Sequence, residues 1–265
     1  MLGILAKPTE QRQQQRRASV GQHTIVSAEA KLGLLPMCAD PLGEAFDSVQ
    51  MGMQKFKIRL TRDEHHAQSA NLLIRKMYSW RGYTTAAAPV AHTTNKICLS
   101  VFFGEQTIGT LTVGLDSADG LSADSMYQDC IDPLRKAGRI LCEMTKLAVD
   151  PNVRSRKVLS SLFHIAYIHA RYLSGCTDIL AEVNPRHVAF YERMLGFHPL
   201  GEERHCERVN APAVLMRVET AYMDAQVRKF GGQADAFKSE KSIYPYFFSK
   251  ADEVGIAQRL LENHQ

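Results

Sequence analysis

The chain has 265 residues, 45% of them apolar, enough to bury a sizeable core and better suited to one domain with extensions than to two full domains. Its 32 Lys and Arg against 28 Asp and Glu leave a formal charge of +4, too slight an excess to point to nucleic acid. No run approaches the roughly 18 apolar residues of a membrane span, and MLGILAKP lacks the apolar stretch and cleavage site of an export signal, so no transmembrane segment is expected. Six cysteines (Cys38, Cys98, Cys130, Cys142, Cys176, Cys206) form no CxxC pair, and several sit in apolar segments, which predicts reduced core thiols and a cytoplasmic protein.

Residues 1–52, with QRQQQRR, scattered Gly and Pro and no hydrophobic period, read as an N-terminal extension, partly flexible, that packs little core. Lys55 to Leu60 alternates as a half-exposed strand does. Thr61 and Glu64 have capping-box spacing for a helix whose buried face is Ala70, Leu73, Ile74, Met77 and Tyr78, stopped at Gly82. ICLSVFF and QTIGTLTVGLD predict a hairpin about Gly104-Glu105. A helix over 122–137 is expected to break at Pro133, with Gly138 as its close.

The second half predicts a strand over 141–149, a helix over 156–173, a strand over 178–183 and a helix over 185–195. Asn184 is placed to cap that last helix, Pro185 to open it and Gly196 to stop it. A closing strand pair follows over 197–203 and 213–219, then a helix over 222–230. An aromatic patch from Tyr244 to Phe248 precedes a final amphipathic segment with Val254, Ile256, Leu260 and Leu261. Strand–helix–strand–helix order in the centre demands a parallel pair there, so the fold class is α+β, one mixed β-sheet flanked by helices.

In this frame the central residues resemble the superfamily of Gcn5-related N-acetyltransferases. The resemblance is carried by Glu143 to Pro151 (EMTKLAVDP), the basic turn and helix after it, and Asn184-Pro185 followed by Phe190-Tyr191-Glu192-Arg193-Met194-Leu195-Gly196-Phe197. Closer similarity is to long-chain N-acyl amino acid synthases, through Met77-Tyr78 with Arg81-Gly82-Tyr83, Asp116-Ser117 with Gly120-Leu121, and Arg208-Val209-Asn210-Ala211-Pro212. Acyl-homoserine-lactone synthases are more distantly similar, sharing the acidic-x-x-basic pattern of Glu143 to Lys146.

The resemblance spans roughly 55–230 and implies an acyltransferase domain over 53–220 with a helical C-terminal extension over 221–265. It implies transfer of a long-chain fatty acyl group to the α-amine of an amino acid, with an acyl thioester as co-substrate and no tightly bound cofactor. A lactone-forming synthase and a non-catalytic module that binds an acyl chain or carrier are the alternatives. One departure bears on the donor. The superfamily's Q/R-x-x-G-x-G/A turn lets backbone N–H groups wrap a pyrophosphate, whereas Arg154-Ser155-Arg156-Lys157-Val158-Leu159 puts Lys157 and Leu159 at the small positions. That tilts the donor from acyl-CoA toward acyl carrier protein, which has a single phosphate on its arm and an acidic surface.

Glu143, an acid inside an apolar strand, is the leading candidate for the base, and the resemblance places Tyr191 as acid for the departing thiolate. Lys146, Leu147, Val149, Arg154, Arg156 and Lys157 are expected to bind the acyl donor; Lys146 reaches the site only if a bulge turns it there. Arg81, Tyr83 and Asp116 are expected to bind the acceptor, Arg81 through the carboxylate. Phe102, Phe103, Leu111, Val113, Phe163 and Tyr167 are either core or the wall of an acyl tunnel. His65-His66 and His164-x4-His169 lack the spacing of a zinc helix, and no metal is expected.

Overall fold

The computed structural model describes residues 24–31, 53–83, 93–153 and 155–262. Among the described residues nine strands form one mixed sheet: β1 (Thr24–Lys31), β2 (Met53–Leu60), β3 (Lys96–Phe103), β4 (Gln106–Leu115), β5 (Leu141–Val149), β6 (Asp178–Val183), β7 (His198–Pro199), β8 (Arg204–Cys206) and β9 (Ala211–Glu219). Their order is β1-β2-β3-β4-β5-β6-β9-β7, with β8 added beside β9. Every pairing is antiparallel except β5 with β6, where the intervening helix carries the chain back over one face.

Helices α1 (Glu64–Trp80) and α2 (Asp124–Lys136) cover one face. On the other lie α3 (Arg156–Ile168), which continues through a π-helical turn over His169–Leu173, then α4 (Val188–Leu195), α5 (Thr220–Phe230) and α6 (Lys250–Glu262). The buried face of α1 is Ala70, Leu73, Ile74 and Met77, as the period requires, and Gly82 follows at φ +76°. Its cap lies two residues beyond the expected one. Asp63 accepts from the His66 N–H at 2.8 Å, because the hydroxyl of Thr61 is taken by Ser100 across the β2–β3 ladder at 2.7 Å.

Three other expectations are corrected. The helix over 124–136 loses helical dihedrals at Tyr127 (φ −127°, ψ 24°), not at Pro133. The Tyr127 ring is fully buried, and its hydroxyl donates to the carbonyls of Glu202 and Ala213 at 3.0 and 2.7 Å, so a tertiary anchor sets the kink. The N-terminal extension does pack core, since β1 pairs along β2 and buries Ile25, Val26 and Ala30. The closing strand over 197–203 is reduced to β7, and the unexpected β8 forms a hairpin with β9 instead.

The C-terminal segment is tied to α3 through a buried polar knot. His164 Nδ1 accepts the Phe248 N–H at 2.9 Å, so the ring is neutral with its proton on Nε2, 2.8 Å from Glu253 Oε2. Tyr172 donates to Glu253 Oε1 at 2.6 Å, and the His164 ring stacks 4.5 Å from that of Phe247. In the final helix Ile256 and Leu260 are buried as expected, but Val254 and Leu261 face out.

Candidate active site

β5 and β6 hydrogen-bond only from Leu141↔Asp178 to Glu143↔Leu180. Beyond that rung both strands run on unpaired with each other, and the opening widens into a cavity of about 540 Å³. The divergence has a local cause. Between Thr110 and Thr112 of β4, three residues of β5 are passed for two, a bulge at which Lys146 takes φ +53°. The bulge breaks strict alternation, so Glu143, Met144, Thr145, Lys146, Leu147 and Val149 all border the cavity.

Glu143 sits on the last shared rung and is almost wholly buried. Its Oε1 accepts the Ser122 N–H at 2.8 Å and its Oε2 the Ala123 N–H at 3.1 Å, so the carboxylate holds down the first turn of α2. Gly114 faces it across β4; a Cβ there would come within 3.2 Å of the Glu143 side chain. On the next strand in sequence, Glu182 of β6 lines the same cavity. Its Oε2 is paired with Arg208, which also donates to the Ser122 carbonyl and, at 2.8 Å, to Ser125 Oγ. Its Oε1 is buried without a hydrogen-bond partner among the described residues. Burial raises the Glu182 carboxyl above the ordinary glutamate value, against the pull of Arg208 and with a push from Glu143.

Arg208 and Glu182 were not singled out from sequence. Arg208 stands in the Arg-Val-Asn-Ala-Pro string, which forms the β8–β9 turn with Asn210 at φ +49°, a conformation asparagine tolerates well. Glu182 carries the same signal as Glu143, an acid inside an apolar strand (DILAEV).

The remaining expected residues divide. Tyr191 borders the cavity from α4, packed edge-on against Phe163, Phe190 and Phe197. Burial keeps its phenol protonated far above neutral pH, and burial likewise pushes neighbouring Tyr78 up to about 12. Arg81 and Tyr83 both line the cavity beyond α1; the Tyr83 hydroxyl accepts from Arg186 at 2.6 Å. Lys146 is half-buried at the wall, and burial lowers its pKa.

Asp116 is not at the cavity. Arg135 grips its two oxygens at 2.7 and 2.8 Å while also binding Asp124 and Asp132, because carboxylates from the loop ahead of α2 and from α2 itself converge on one guanidinium. Lys157 turns inward as well. Its ammonium donates to the Tyr246 carbonyl at 2.9 Å and lies 4.6 Å from the Phe248 ring centre, while Arg156 stays exposed beside Tyr246. Arg154 lies outside the described residues. Leu147, Val149 and Leu159 supply the apolar wall, while Phe102, Leu111, Val113, Phe163 and Tyr167 are buried core and Phe103 packs against it. Asp63, His65 and His66 draw together on the exposed start of α1, where Asp63 is already spent as the helix cap. Among the described residues no helix is long and apolar enough to cross a membrane.

Comparison with known proteins bears on this geometry. Residues 69–219 match the family model described as N-acyl amino acid synthase FeeM, more than half of the chain. Comparison with curated proteins gives no match. Among solved structures, FeeM, an N-acyl amino acid synthase from uncultured soil microbes, is 24% identical with a TM-score of 0.57, over 63% of this chain and 92% of that one. A putative N-acetyltransferase from Lactobacillus plantarum is 15% identical with a TM-score of 0.46, over 62% and 98%. The mixed sheet opened between its fifth and sixth strands is thus the fold of FeeM, and the chain belongs to the N-acyl amino acid synthase FeeM family and is an N-acyltransferase.

Proposed function

We propose that the chain moves a long-chain fatty acyl group from acyl carrier protein to the α-amine of an amino acid, releasing the free carrier thiol and an N-acyl amino acid. The observation that carries this reading is the polarity of the cavity. It is charged where the β5–β6 ladder stops, with Glu143, Glu182 and Arg208, and apolar toward the end of β5, with Leu147, Val149 and Leu159. An acyl thioester entering from the apolar end meets an amino acid at the charged one. The unpaired backbone of β5 supplies N–H groups for the pantetheine amides and the developing oxyanion. Arg81 holds the acceptor carboxylate, and Tyr191, kept protonated, faces the departing sulfur.

Support for the carrier protein as donor comes from the opening of α3, where Lys157 and Leu159 occupy the positions that glycines fill in a pyrophosphate turn. Arg156 is left exposed there for an acidic partner. Five free thiols among the described residues suit work in the reducing cytoplasm. The test is incubation with acyl carrier protein or coenzyme A thioesters and a mixture of amino acids, read by mass spectrometry. Acyl-amide from the carrier thioester is expected. Its absence with both donors overturns the reading, and equal yield from coenzyme A overturns the choice of donor.

A further inference from the structure

The reaction needs a group that accepts the proton of the acceptor ammonium, and among the described residues the cavity offers two carboxylates beside the His187 imidazole, whose Nε2 already accepts from Arg186. Glu143 is committed: each of its oxygens already receives a backbone N–H of the α2 start, at 2.8 and 3.1 Å, and a proton on either would weaken the bonds that hold that turn. Glu182 is differently placed. It stands on the opposite strand, two residues past the last β5–β6 rung; the residue lines the cavity, with Oε2 fixed by Arg208 and Oε1 buried and unpartnered among the described residues. An unpaired buried carboxylate oxygen is costly, and the cost is removed when a donor reaches it. An ammonium beside the unpaired β5 backbone is such a donor.

We infer that Glu182, oriented by Arg208, is the catalytic base that takes the proton from the acceptor's α-ammonium. The inference rests on the amino acid acceptor proposed above. The N–H proton passes to Glu182 Oε1, and the freed lone pair attacks the thioester carbonyl. The C–N bond forms and the C–S bond breaks as the adduct collapses. The second nitrogen proton leaves with the thiolate, which departs as thiol, and Glu182 returns its proton to solvent when the amide is released. Burial disfavours the charged carboxylate and so makes it a better proton acceptor, in keeping with this role. The charged and titratable groups facing it are Arg208 from the β8–β9 turn, Glu143 from β5 and the Tyr127 phenol from α2.

The experiment compares Glu182→Gln, Glu182→Asp and Glu143→Gln with the wild type in the carrier-thioester assay across pH, alongside thermal melts. For Glu182→Gln, kcat/KM at neutral pH is expected to fall about 100-fold or more and to recover about tenfold per pH unit as free amine replaces ammonium, with an unchanged melt; Glu182→Asp retains part of the activity. A Glu182→Gln enzyme with the wild-type rate and pH profile overturns the inference while leaving the acyl transfer intact. So does a Glu143→Gln enzyme that alone shows the alkaline recovery. A wild type that forms no acyl-amide with any acceptor removes both the function and this step.

Discussion

Glu143 and Glu182 look alike in sequence, each an acid inside an apolar strand, and the difference between them is one of hydrogen bonds. Glu143→Gln puts an amide NH₂ against the Ser122 or Ala123 N–H, leaving one buried donor unsatisfied. The expected cost is about 1–3 kcal/mol, read as a lowered midpoint in thermal or urea unfolding, with activity lost because the α2 turn shifts. Glu182→Gln, with one oxygen already unpaired, lacks that penalty. What the sequence made visible was that a carboxylate inside a core strand demands a purpose; which partner fulfils it depends on segments such as Ser122-Ala123 and Arg208 that lie 20 or more residues away. A separation of 19 residues likewise hid the grip of Arg135 on Asp116, and no local pattern revealed it.

At the scale of elements, the bulge in β5 is what brings consecutive residues to one cavity, and Lys146 bears its conformational cost at φ +53°. Lys146→Val, β-branched in a left-handed conformation, is expected to destabilise by about 1–2 kcal/mol, whereas Lys146→Gly is expected not to destabilise; comparison of melting midpoints checks both. The second residue of helix α3 is a lysine turned toward the C-terminal segment. Lys157→Met should cost about 1 kcal/mol through its lost bond to the Tyr246 carbonyl and its place over Phe248, and leave the KM for the acyl donor within about twofold. Strand and helix boundaries in this half were legible because Asn184, Gly138 and Gly196 punctuate them locally. The bulge was not, since it depends on how β4 and β5 align.

For the molecule as a whole, the knot at His164 makes the C-terminal segment part of the folding unit. Burial lowers the His164 pKa, with Glu253 opposing, so its folded value lies below the unfolded value of about 6.5. Stability is therefore full above about pH 6.5 and is lost as pH falls toward the folded value. Burial raises the Glu253 carboxyl, but its hydrogen bonds from His164, Lys250 and Tyr172 prevail and hold it low, adding a second loss below about pH 4.5. Urea unfolding at pH 7 and pH 5 should show the first loss, and His164→Gln should flatten it. That segment's aromatic patch was plain in the sequence, but its docking onto α3 spans more than 80 residues and was not.

The short β5–β6 ladder has a mechanical consequence. Three residue pairs join β1–β5 to β6, β7 and β9 within the sheet, so this is its seam, and amide protons along the free edges of Thr145 to Val149 and Ala181 to Val183 should exchange with deuterium fastest among the central strands. A thioester arm whose amides bridge those edges would act as the missing rungs. Its binding should register as slowed exchange on both strands at once, a signal that does not depend on turnover.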